Sequence, residues 1–159
     1  MKYFLLLSLL FCFSAQGADL DHLKEIEKGK LIYGEEVKAK DLKGKVILLE
    51  YWGTNWPPCV AGMPGLQVLH SKYAKTGKFT VIGSHVQSYN KNSVDGLLNK
   101  SKVTFPNYQF LRISKAPGGG GIPYMALIDH EGNVVATGHI SNLESEIKKL
   151  IQLAPNPGD

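Results

Sequence analysis

Cysteine is nearly absent: the 159 residues hold two, Cys12 and Cys59, too few for a disulfide-stapled mini-protein. Arginine is scarcer still. Of 18 basic residues only Arg112 is an arginine, and the lysines are scattered with no run longer than Lys148-Lys149. The net charge of +4 therefore describes a solvated surface, and with no basic stripe interleaved with aromatics nucleic-acid binding is not expected. The histidines His22, His70, His85, His130 and His139 show no HxxxH-type spacing, so neither a metal site nor a cofactor is expected. Repeats and low-complexity tracts are also missing. What is there, 43% apolar and 20% charged residues, excludes a disordered tail protein and suits one ordinary globular domain.

The N-terminus carries a separate signal. Lys2 precedes an apolar stretch from Tyr3 to Phe13 broken only by Ser8, and the small residues Ala15 and Gly17 follow. That is the layout of a secretory signal peptide over residues 1–17, with an apolar core too short to span a bilayer. The mature chain is expected to begin near Ala18, to be exported to the periplasm or beyond, and to have no stable membrane insertion. Lipidation of Cys12 is disfavoured because Phe11, not a small residue, stands before it. Cleavage leaves Cys59 as a lone, unpaired thiol in an oxidising space.

Periodicity then predicts the elements of a domain over residues 18–153. Leu20, Leu23 and Ile26 give a short amphipathic helix within Asp19–Lys28. The run Lys45–Trp52 suits a central strand buried on both faces, with Glu50 as its anomaly. Spacings of three and four predict a helix over Pro58–Lys75, kinked at Pro64. Phe79–Ser84 reads as a strand, Ser93–Lys100 as a helix and Thr104–Phe110 as a strand carrying Pro106. Tyr124–Asp129 and Val134–Gly138 form a hairpin, and Asn142 caps a last helix ending at Leu153. Residues 154–159 are expected to be a flexible tail. The order β-α-β-α-β-β-α gives an α/β fold, a mixed sheet flanked by helices.

The run from Asp41 through Trp52-Gly53-Thr54-Asn55-Trp56-Pro57-Pro58-Cys59 resembles the active-site strand and W-A-T-W-C-P-P-C turn of TlpA-like redoxins, relatives of the AhpC/TSA proteins in the thioredoxin superfamily. Gly121-Ile122-Pro123 resembles the same family's cis-proline loop. The resemblance spans roughly Leu31 to Leu153 and implies a thioredoxin-like fold, thiol–disulfide exchange with protein or small-molecule thiols and disulfides, and no cofactor. One departure is central: Trp56 takes the place of the attacking cysteine, and only the resolving one, Cys59, remains. A dithiol cycle needs both.

The residues carry an independent reading. Pro57-Pro58 sets Cys59 in the first turn of a helix, where unpaired N–H groups favour a thiolate, while burial under Trp52 and Trp56 opposes it. Cys59 as a mere core hydrophobe is the plain alternative. Glu50, where the family carries a proton-exchanging acid, is a candidate acid–base group; the alternative faces it to a polar edge or to Lys45. Ile122 and Pro123, with Trp56, are candidate substrate-binding residues, the Ile122 backbone pairing with an extended peptide; the alternative is an ordinary trans proline. His85 should emerge at the same sheet edge as Cys59, as a candidate thiol partner. His70 lies about 16 Å along the helix from Cys59, out of reach. Gly118–Gly121 lacks the following Lys-Ser/Thr of a phosphate loop. Three functions follow: a single-thiol oxidoreductase homologue, a non-catalytic peptide-binding module anchored on Trp56, or a one-cysteine peroxidase.

Overall fold

In the computed structural model, residues 21–140 and 142–158 are described. The expected signal peptide, with Cys12, and Leu20 of the first helix lie outside them.

The first helix, α1 (Asp21–Glu27), precedes β1 (Lys30–Tyr33) and the single turn α2 (Ala39–Leu42). Then come β2 (Val46–Trp52), α3 (Pro57–Tyr73), β3 (Phe79–His85), α4 (Lys91–Lys100), β4 (Asn107–Gln109), β5 (Tyr124–Ile128), β6 (Val134–Gly138) and α5 (Leu143–Leu153). The strands form one six-stranded mixed sheet in the order β1-β4-β3-β2-β5-β6, with β2, β3 and β4 parallel and β1, β5 and β6 antiparallel to their neighbours.

Strand alternation splits the core in two. Val46, Leu48 and Trp52 of β2 pack with Cys59, Met63 and Leu66 of α3, with Val94 and Leu98 of α4, and with Ile147 of α5. Ile47, Leu49 and Tyr51 face the other way, onto Leu23 and Ile26 of α1 and Leu42 of α2. Covered on both faces, β2 is buried along its whole length, as its apolar run requires. Glu50 shares the parity of Leu48 and Trp52 and so lies under α3.

Several boundaries differ from the sequence reading for local reasons. Helix α3 starts at Pro57, with Trp56 as its N-cap, runs through Pro64 as one element and yields to a 3₁₀ turn over Ala74–Thr76. Asn90 advances the start of α4 to Lys91, its side chain accepting the Ser93 N–H at 3.1 Å. Strand β4 is shorter than expected because Pro106 has no N–H to donate and Phe110, at φ 51°, turns the chain out of the sheet. Asn142 is not a side-chain cap: it is left-handed (φ 57°), and its carbonyl, not its amide, accepts from Ser145. Residues 154–158, expected as a flexible tail, lie against the turns at Gly44 and Gly77, and the carbonyl of buried Ala154 accepts from Lys78 at 2.8 Å.

One glycine is dictated by a close approach. Gly83 pairs with Glu50 across β2 and β3, and the missing side chain admits Asn107, whose Oδ1 accepts the Trp52 indole N–H at 3.0 Å. A Cβ on Gly83 would sit 1.9 Å from that Oδ1. Gly83→Ala is therefore expected to destabilise the domain by about 1–3 kcal/mol through overpacking. Urea unfolding with an unchanged midpoint would show that Asn107 moves aside freely.

Candidate functional site

The site forms where β2 runs into α3. After Trp52 the chain turns through Gly53–Asn55, the Trp56 N–H donating to the Gly53 carbonyl at 3.3 Å. Trp56, in extended conformation, accepts the Cys59 N–H at 3.0 Å, and the prolines at the first two helical positions need no partners there. Cys59 thus stands in the first turn of α3 as an unpaired cysteine, 0% exposed. Burial pushes its thiol above the ordinary value, the charge of nearby Glu50 adds to the rise, and a backbone hydrogen bond from Gly53 works the other way. Desolvation outweighs the Gly53 hydrogen bond. The cover is not the one expected, however: Trp52 is buried, whereas Trp56 is 47% exposed and turns its indole to solvent.

Glu50 lies between Gly83 of β3 and Met125 of β5, 1% exposed. Its Oε2 has no hydrogen-bond partner, and desolvation raises its pKa from 4.5 to about 8. The alternative of a polar edge or a Lys45 pairing is therefore corrected: the carboxyl is sealed between the sheet and α3. At neutral pH it is mostly protonated, an acid within electrostatic reach of the Cys59 thiol.

The Ile122–Pro123 peptide bond is cis. Beside it runs a groove of about 630 Å³ walled by Trp56, Gly120, Gly121, Ile122, Pro123 and His139. The structure thus brings Trp56, Ile122 and Pro123 to one groove, while Cys59, buried in the first turn of the helix that Trp56 caps, and Glu50 are not among the residues that line it.

His85 ends β3 in register with Trp52, at the sheet edge where Cys59 sits. Its ring packs edge-on to Trp52 with centroids 4.8 Å apart, and its Nε2 faces Thr54, not the thiol. His70 is a buttress: Nδ1 accepts the Val81 N–H at 3.3 Å and the ring meets Phe105. The sequence reading missed Thr54, Gln87, Asn107 and Gln109, which tie the loop and strand ends together. Gln87 Oε1 accepts the Asn55 N–H at 2.9 Å, and Gln109 Nε2 donates to the carbonyls of His85 and Gln87 at 3.1 and 2.8 Å. Isolated polar residues in loops have no periodicity that would have singled them out.

The Redoxin family profile matches residues 26–151. Among curated relatives, the thiol-disulfide oxidoreductase ResA of Bacillus thuringiensis (strain Al Hakam) is 34% identical over 104 residues, which cover 64% of this chain and 59% of the relative. The match thus spans less than two thirds of that protein. Among solved structures, a thioredoxin-family thiol:disulfide interchange protein from Chlorobium tepidum TLS superposes with a TM-score of 0.65 at 22% identity, covering 79% of this chain and 90% of the other. A secreted thiol-disulfide isomerase from Corynebacterium glutamicum does so with 0.62 at 20%, covering 79% and 81%. Both structural matches establish the thioredoxin-like fold. Among the described residues no helix is long and apolar enough to cross a membrane.

Proposed function

Because the chain belongs to the redoxin family, we propose that it is an exported thiol–disulfide oxidoreductase homologue reduced to a single thiol, Cys59, with dithiol cycling lost. The observation that carries this reading is the buried acid whose charge is felt by the cysteine. A buried carboxyl with one oxygen unpartnered is unfavourable by several kcal/mol when ionised and has no packing role that leucine would not fill better. Within electrostatic reach of Cys59, it can take the thiol's proton in its ionised fraction, which grows as pH rises toward 8. The step available is thiol–disulfide exchange: the Cys59 thiolate attacks a partner's disulfide, a mixed disulfide forms, the partner's other sulfur leaves as thiolate, and an external thiol later reduces the bond. The groove between Trp56 and Pro123 is where the partner's extended segment would lie. Protein thiols and disulfides are the proposed substrates.

Complete burial of Cys59 favours a second reading, a non-catalytic binding module in which the thiol only packs and exposed Trp56 anchors a peptide. Peroxide cleavage has less support, since Arg112 donates to the Pro117 carbonyl and Trp56 stands three residues before the cysteine. Incubating the protein with oxidised glutathione and weighing it separates the first two readings. The single-thiol reading expects one glutathione adduct, abolished by Cys59→Ser; no adduct in the folded protein, with peptide binding lost in Trp56→Ala, selects the module. The same mass measurement on secreted material is expected to place the mature start near Ala18; retained residues 1–17 would refute export by a cleaved leader.

A further inference from the structure

The hydrogen-bond donors around His85 fix its protonation. The Thr54 backbone N–H, which can only donate, points at Nε2 from 3.4 Å, and the Thr54 hydroxyl lies 3.3 Å from the same atom. Nε2 must therefore accept, and in a neutral imidazole the proton then sits on Nδ1. That side of the ring looks toward β4, where His85 and Gln109 are register partners. His85 Nδ1 and Gln109 Oε1 are both buried and neither makes a hydrogen bond, while the Gln109 side chain and the Gln87 backbone act on the imidazole against the effect of its burial. The groups facing the ring from every packed element are thus Trp52 of β2, Thr54 of the loop, Gln87 beyond β3 and Gln109 of β4, all uncharged.

The loop that His85 touches is the one whose Gly53 backbone hydrogen-bonds the thiol. Gly53 hydrogen-bonds Cys59 through its backbone, Thr54 follows, and Asn55 is held by Gln87, whose side chain crowds Gly53 so closely that a Cβ there would meet it at 2.4 Å. Holding Thr54 holds this whole turn. A proton added at Nε2 turns the acceptor into a donor facing the Thr54 N–H, and that backbone contact is lost; the hydroxyl, which can accept, becomes the ring's remaining hold on Thr54.

We propose that His85, neutral as its Nδ1–H tautomer, is a positioning residue that pins the Gly53–Trp56 loop over Cys59 through Thr54, and that protonation of Nε2 releases the loop and uncovers the thiol. This rests on the reading of Cys59 as the working thiol, and it replaces the expected role of His85 as a direct thiol partner. Burial holds the imidazole below its ordinary value of 6.5, so the pin is closed at neutral pH and opens in mildly acidic conditions.

Nitrogen-15 NMR of the intact mature protein tests the pin directly. The expected spectrum shows the Nδ1–H tautomer of His85 at pH 7.5. As the ring titrates below pH 6.5, the exchange protection of the Thr54 amide, corrected for intrinsic rate, should fall about five- to tenfold, the worth of one hydrogen bond. Labelling of Cys59 by 2,2′-dipyridyl disulfide, normalised to the unfolded chain at each pH, should rise by the same factor with the same midpoint. In His85→Gln, whose amide accepts but does not titrate, both should be flat. An Nε2–H tautomer in the wild type, or a Thr54 amide indifferent to the His85 titration, overturns the proposal without any variant. Thr54 protection that follows His85 while Cys59 labelling stays flat overturns the uncovering of the thiol; the single-thiol reading falls only if the glutathione adduct is absent as well.

Discussion

Trp56→Cys is expected to turn a protein that does not catalyse insulin reduction by dithiothreitol into one that does. Residue 56 is the N-cap of α3 and accepts the Cys59 N–H at 3.0 Å, so the two positions face each other across one helical turn. Such spacing falls within the roughly 4.4–6.8 Å between Cα atoms that a disulfide spans. The introduced thiol would stand where the indole is now, half-exposed and at the helix N-terminus, and would be the more acidic of the two and the attacking one. Buried Cys59 would resolve, its proton passing to Glu50. Because Trp56 is 47% exposed, its removal leaves no closed cavity, and stability should change by about 1 kcal/mol or less. Insulin turbidity and intact mass after mild oxidation are the measurements. A folded variant that forms no internal disulfide would mean that the loop no longer has an oxidoreductase's geometry, whatever the family.

Much of this was legible in the chain because a few residues carry strong periodic or motif signals. An apolar run as continuous as Val46–Trp52 fits only a strand covered on both faces, and Pro57-Pro58 before three- and four-residue apolar spacing marks a helix start. Elements without such signals were lost: β1 has one exposed and three half-buried residues at a sheet edge, and α2 is a single turn. The sense of burial was half legible. Glu50 stood out because an acid interrupts an apolar strand, whereas the exposure of Trp56 depends on the groove wall from Gly120 to Pro123, which lies more than sixty residues away in sequence. His85 was placed at the right edge by strand register alone. Its use could not be, because that depends on a Thr54 amide, a Gln87 carbonyl and a Gln109 side chain that meet only once β2, β3 and β4 are aligned.

Glu50→Gln is expected to stabilise the protein strongly in alkali while impairing its thiol chemistry. Unfolded, the carboxyl titrates at its ordinary 4.5; folded, at about 8. Between these values the native state holds a proton that the unfolded state has lost, so stability is greatest below pH 4.5, falls as pH rises, and reaches its full penalty above pH 8. Glutamine mimics the protonated acid and does not titrate. The variant should therefore nearly match the wild type at pH 5 and exceed it at pH 9 by on the order of 4 kcal/mol, about 10 °C in Tm. His85 works in the opposite sense, its lowered pKa weakening the fold as pH falls below 6.5, but it is common to both proteins and drops out of their difference. In the Trp56→Cys background the same change should slow resolution by Cys59 without preventing disulfide formation, because only proton transfer is lost. Equal stability of variant and wild type at pH 9 would show that the carboxyl ionises freely, through water or movement of α3, and Glu50 would then no longer count as a buried acid beside the thiol.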